Sequence, residues 1–157
     1  MGINMSPGER AALSELLQNG FNHLREIRIK KRVIALNILA IAYLLNVVFF
    51  PQRIVASIDL SSVAVTEAYF LNLLYYRSLF GVFLIVLYNF CYWRNYYFFP
   101  VSVSVLVVAA VLFGFDFHYF ISAAHSGSGV RVSIISVCRL FVLYLLFSNA
   151  MDASQKQ

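Results

Sequence analysis

Three ionisable residues, Arg77, Asp116 and Arg139, stand inside stretches that are otherwise apolar enough to cross a membrane. An ionisable group at that depth costs several kcal/mol unless it is paired or wetted, so it marks a functional site by default. Two cations and one anion can form an ion-paired knot between helices, contact a partner subunit, or line a wet path for an anion or proton. The fourth outcome is structural: a long arginine stem can carry its charge out to the head groups.

Depth along each helix follows from the rise of about 1.5 Å per residue. Counted from one common side, Arg77 and Arg139 lie on the order of 12–14 Å inside their spans. Asp116 falls roughly 24 Å from the start of its own span, near the same level. Three consecutive spans can therefore bring the three charges together, with His118 and Tyr76 as neighbours. The expected division is that Asp116 pairs one arginine internally and the other reaches a carboxylate on a partner.

The composition sets the class. Of 157 residues, 61% are hydrophobic and 12% charged, and the mean hydropathy is +0.77. Soluble domains average about 25% charged residues, and a soluble fold of this size has too much surface to hide so much apolar material. The expected fold is an all-α integral membrane protein of four transmembrane helices behind a cytoplasmic amphipathic helix. The spans are read at about 33–50, 69–92, 100–124 and 130–148, each long enough to cross a core roughly 30 Å thick. They form one domain over 33–149, between a lead at 1–32 and a short polar tail at 150–157.

In the lead, Ser6 suits an N-cap, Pro7 the first helical position and Glu9 a capping box. Leu13, Leu16, Leu17, Leu24 and Ile27 recur at helical spacing, with Gly20 as a weak point. Such a stripe can rest on the bilayer surface or dock a cytoplasmic partner. The first apolar run begins at Val33 after this polar lead, so no conventional signal peptide is expected.

Arg25, Arg28, Lys30, Lys31 and Arg32 crowd ahead of the first span. They read as a positive-inside topology signal and as a docking cluster for anionic lipids or a partner. No aromatic residues interleave them, so nucleic acid is not expected. With four spans, both termini are expected in the cytoplasm, and short loops in a compact chain suit a bacterial inner membrane. Asn37, Asn46, Asn72 and Asn89 are the polar members of the first two spans, each suited to a helix–helix hydrogen bond.

Catalytic patterns do not emerge. A voltage sensor needs arginine at every third position, whereas Arg131 and Arg139 are eight apart. Intramembrane haem needs histidines on facing spans, whereas His118 and His125 share one segment. Asp116 and His118, two apart, point to different faces of a helix. Cys91 and Cys138 have no metal-ligand spacing around them and suit apolar packing. No cofactor or metal is expected. The expected function is a non-enzymatic small polytopic membrane subunit, assembling with other membrane proteins as a hetero-complex. The alternative is a small oligomeric transporter or channel for an anion or proton.

Overall fold

The computed structural model describes residues 7–55, 66–94, 97–123 and 129–155, with side-chain surroundings given for all of these except 118–123 and 129–132. Every regular element among them is an α-helix: α1 (Pro7–Phe49), α2 (Pro51–Val55), α3 (Glu67–Arg94), α4 (Phe98–Ala123) and α5 (Gly129–Ser154). Four of these, α1, α3, α4 and α5, are long and apolar enough to cross a membrane.

The helix ends follow local chemistry. α1 begins at Pro7, whose missing N–H costs nothing in a first turn. It stops before Pro51, which opens the short α2. Thr66 caps α3, its hydroxyl accepting from the Tyr69 amide at 3.4 Å. α4 starts two residues before the expected Pro100, which sits within the first turn where its ring is tolerated. Tyr97 turns the chain into α4 with φ 54°, and its carbonyl accepts the first helical bond from Val101 at 3.1 Å.

The lead and first span differ from the expected pair of separate helices. α1 runs without interruption for 43 residues, roughly 65 Å. Nothing between residues 30 and 34 can break it, because helix kinks need proline, a glycine–serine pair or an inserted group. Gly20 is absorbed in the same helix, and a Cβ there would meet nothing within 4 Å. Gly20→Ala is therefore expected to stabilise α1 by about 0.5–1 kcal/mol, read as increased helicity in circular dichroism of the full chain. A fall in helicity would mean that the glycine is needed for a contact.

The long helices form a ring. α1 packs on α3 and α5, and α4 packs on the same two, with α4–α5 the most extensive interface. The tightest packing gathers at the end where α1 carries its basic cluster. Ile29 and Val33 meet Tyr88, Phe98, Leu146 and Ala153 there, and the Tyr88 and Phe98 rings stand 5.3 Å apart at 55°. At the opposite end, α2 sits against α1 and α3.

Candidate functional site

The charges of α3, α4 and α5 meet. Arg77 lies ten residues into α3, Arg139 ten residues into α5, and Asp116 seven residues before the end of α4. Each is thus roughly 10–15 Å from the same end of the bundle. Arg77 Nη1 donates to Asp116 Oδ1. Arg139 Nη2 stands 2.8 Å from Asp116 Oδ2. One carboxylate thus takes a guanidinium on each oxygen and joins three helices. The side chains are 20% exposed for Asp116, 32% for Arg77 and 27% for Arg139, so the cluster is largely desolvated and its ion pairs are stronger than surface pairs. The Arg139 guanidinium also covers the Phe113 ring at 5.3 Å, a cation–π contact within the same interface.

This geometry corrects the expected division of labour. Neither arginine is directed outward to a partner's carboxylate, because Asp116 has two oxygens and both are used. The reason is rotational: α3 and α5 flank α4, and each turns its arginine toward the carboxylate between them. His118 lies on the helical backbone of α4, but its side chain is outside the described residues, as is His125. Tyr76, expected beside the triad, is 73% exposed on the outer face of α3.

The basic cluster divides in two. Arg25, Arg28 and Arg32 each contact the C-terminal end of α5. Arg32 Nη1 donates to Asp152 Oδ2 at 2.6 Å and to the Ser148 carbonyl at 3.1 Å. Arg28 lies 3.6 Å from Asp152, and Arg25 donates to the Gln155 carbonyl at 3.0 Å. Cations at a helix C-terminus meet its negative dipole end and leftover carbonyls. These three hold α1 to α5. Lys30 and Lys31 remain exposed.

The asparagines also divide. Asn37 of α1 and Asn89 of α3 exchange amide hydrogen bonds, both at 2.8 Å, and Asn89 donates further to the Ile85 carbonyl at 2.8 Å. Asn46 and Asn72 are instead exposed, with no side-chain hydrogen bond to another helix among the described residues. Both lie near helix ends, Asn46 close to the end of α1 and Asn72 close to the start of α3. Asn37→Leu is expected to cost about 0.6–1.7 kcal/mol by leaving Asn89 without its partner. The double variant Asn37→Leu/Asn89→Leu should lie closer to wild type. Reversible unfolding in detergent gives both values, and strict additivity would show that the pair is not coupled.

One polar group escaped sequence reasoning. Asn149 of α5 is fully buried and donates to the Tyr88 hydroxyl at 2.9 Å, with Ser102 of α4 also fully buried. Asn149 lies one residue past the expected end of the fourth span, at the last position of the expected domain, and was not singled out. The nearest charged residue to it in sequence is Asp152, which takes Arg32.

Taken together, fold and site define a class: a four-helix chain of membrane-crossing length, clamped near one end by an Arg–Asp–Arg triad and at the other by arginines on Asp152. No protein-family model, curated protein or solved structure matches this chain.

Proposed function

We propose that this chain is a non-enzymatic multi-pass subunit that assembles with partner membrane proteins in a hetero-complex. Its setting is a bacterial inner membrane with both termini in the cytoplasm. The orientation follows from the basic residues flanking the first span, which favour the cytoplasmic side, and from an even number of crossings.

One observation carries the reading: Arg77, Asp116, Arg139, Asn37 and Asn89 are bound to other helices of the same chain, while many large apolar side chains face outward. In the 18-residue apolar windows of α1, α3 and α4, 11% of residues are buried within the chain, and 22% in α5. Much of the apolar surface is therefore left for lipid and for other helices. α3 shows the pattern in detail. Tyr76, Leu79, Phe83, Val86, Phe90 and Trp93 follow one another at spacings of three and four, and each is 57–90% exposed. That 3.5-residue period is the seam of a left-handed helix pair. The triad acts as an internal clasp that sets the relative rotation of the three helices and hence which faces point outward.

Native mass spectrometry of the protein, extracted gently from its own membrane, tests the proposal. The expected result is a defined complex with other polypeptides. A monomer or homo-oligomer would overturn it. The transport alternative is tested separately in liposomes holding the purified protein. Anion flux that is abolished by Arg139→Leu would support that alternative.

A further inference from the structure

Between α1 and α3 a groove opens outward beside the basic flank. It holds about 330 Å³, within the range of small-molecule sites. Lys30, Ile34 and Asn37 line it from α1, and Asn89, Phe90 and Trp93 from α3. The two helices run in opposite directions, so depth increases from Lys30 to Asn37 on one wall and from Trp93 to Asn89 on the other. Lys30 and Asn37 are roughly 10 Å apart along the axis. The groove is thus cationic and aromatic at its head-group end, apolar along its walls and polar at its floor.

Each of these layers has a polar or aromatic group suited to part of a phospholipid. Lys30 and Lys31 are exposed. Arg94, also exposed, lies back over the Phe90 ring at 5.8 Å, which brings a second cation to the groove wall. Trp93 is 90% exposed, and an indole at this level suits the membrane interface. At the floor, each asparagine amide nitrogen carries two hydrogens. Asn89 Nδ2 uses both, on Asn37 Oδ1 and the Ile85 carbonyl. Asn37 Nδ2 gives one to Asn89 Oδ1. Its second hydrogen has no acceptor among the described residues, and an unmet donor facing lipid is costly.

Charge selects the occupant. This chain has seven acidic side chains. Asp116 and Asp152 are held by arginines. Asp59 belongs to the link between α2 and α3, and Glu67 opens α3, both at the opposite end of the bundle. Glu9 and Glu15 stand more than about 20 Å up the lead of α1. Glu26, one turn before Lys30, is itself engaged. Neither a segment of this chain nor a second copy inserted the same way therefore brings an uncommitted acidic side chain to Lys30 and Arg94. We infer that the groove binds an anionic glycerophospholipid. Its phosphate lies between Lys30 and Arg94, an ester carbonyl accepts the second Asn37 hydrogen, and one acyl chain follows Ile34 and Phe90. Phe90 and Trp93 end the exposed strip of α3, so the lipid leaves Tyr76 to Val86 open to a partner helix. The inference does not depend on the subunit reading.

Trp93 is the only tryptophan of the chain, so its fluorescence reports on this groove. The full-length protein is reconstituted in phosphatidylcholine vesicles that contain either brominated phosphatidylglycerol or brominated phosphatidylcholine. At equal mole fraction the brominated phosphatidylglycerol should quench Trp93 with a relative affinity higher by roughly fivefold. Lys30→Gln/Arg94→Gln should bring that ratio to about one, and the remote pair Arg10→Gln/Arg53→Gln, with the same change of charge, should leave it. A ratio near one in wild type, or an equal fall in both double variants, overturns the inference. Inorganic phosphate should leave the quenching unchanged, and displacement by it would assign the cations to a free anion instead. Quenching that rises as the protein is diluted in lipid would mean that a second copy covers the groove, and overturns it too. The diether analogue of phosphatidylglycerol should compete roughly threefold less well, because it offers Asn37 no carbonyl; equal competition would overturn the Asn37 contact. In native membranes, benzoylphenylalanine at position 34 should give photo-adducts to lipid. Adducts to a polypeptide would overturn the inference and favour the subunit reading at this site.

Discussion

Asp116→Leu is expected to destabilise the chain by about 3–5 kcal/mol, because it leaves two guanidinium groups facing one another in a largely desolvated layer. The carboxylate is 20% exposed and accepts Arg77 on one oxygen and Arg139 on the other. Its removal converts two attractive contacts into one repulsive one. Reversible unfolding in detergent micelles measures the loss. Arg77→Leu and Arg139→Leu should each cost less, since either leaves Asp116 with one remaining cation. The triple variant Arg77→Met/Asp116→Leu/Arg139→Met should recover most of the stability, as buried charge networks replaced by apolar groups of similar volume often do. A triple variant as unstable as the sum of its parts would show that the three residues act independently. In that case the triad is not a clasp.

Asp152→Ala is expected to release α1 from the C-terminal end of α5. Arg32 would lose a 2.6 Å charge-assisted bond in a site where the two side chains are 22% and 15% exposed. Hydrogen bonds to charged groups contribute about 1.5–3 kcal/mol, and the loss should fall in that range. Arg28 adds little to this, since its side chain is 57% exposed and such pairs are screened. The check is cross-linking between cysteines at positions 25 and 155 by a bis-maleimide long enough to replace the arginine stem that joins the two backbones. Cross-linking should slow several-fold in Asp152→Ala and not in Asp152→Glu. Equal rates in wild type and Asp152→Ala would show that apolar packing around Ile29 and Val33 alone holds this end.

The two clasps differ in how far sequence reasoning reached them. Arg77, Asp116 and Arg139 stand out because an ionisable residue within an apolar run is conspicuous one residue at a time. Their common level also follows, because depth along a helix is a count of residues. The Arg32–Asp152 pair did not stand out. Both members lie in polar flanks where charge is ordinary, so nothing local distinguishes an arginine that turns onto α5 from one that faces water. Asn37 and Asn89 were singled out separately, but their mutual pairing, and the exposure of Asn46 and Asn72, depend on where the faces of α1 and α3 meet.

Helix ends show the same division. The expected span 69–92 became α3 at Glu67–Arg94, and 100–124 became α4 at Phe98–Ala123. Apolar runs mark the hydrocarbon, while helices continue past it into their caps. The fourth span, expected to end at residue 148, runs on to Ser154 because Asn149, Ala150 and Ala153 are buried against neighbouring helices. The lead helix and the first span were read as two elements because their compositions differ, yet backbone hydrogen bonding passes unbroken from one to the other.

What the sequence by itself determined was the set of four apolar helices and the place of each charged residue along them. These quantities are sums over consecutive residues, and transfer into a membrane is additive along the chain. What only the tertiary structure decided was the rotation of each helix about its axis. That rotation put both arginines on one carboxylate and turned three basic residues onto α5. Rotation is fixed by packing among residues far apart in the chain, and no local pattern encodes it.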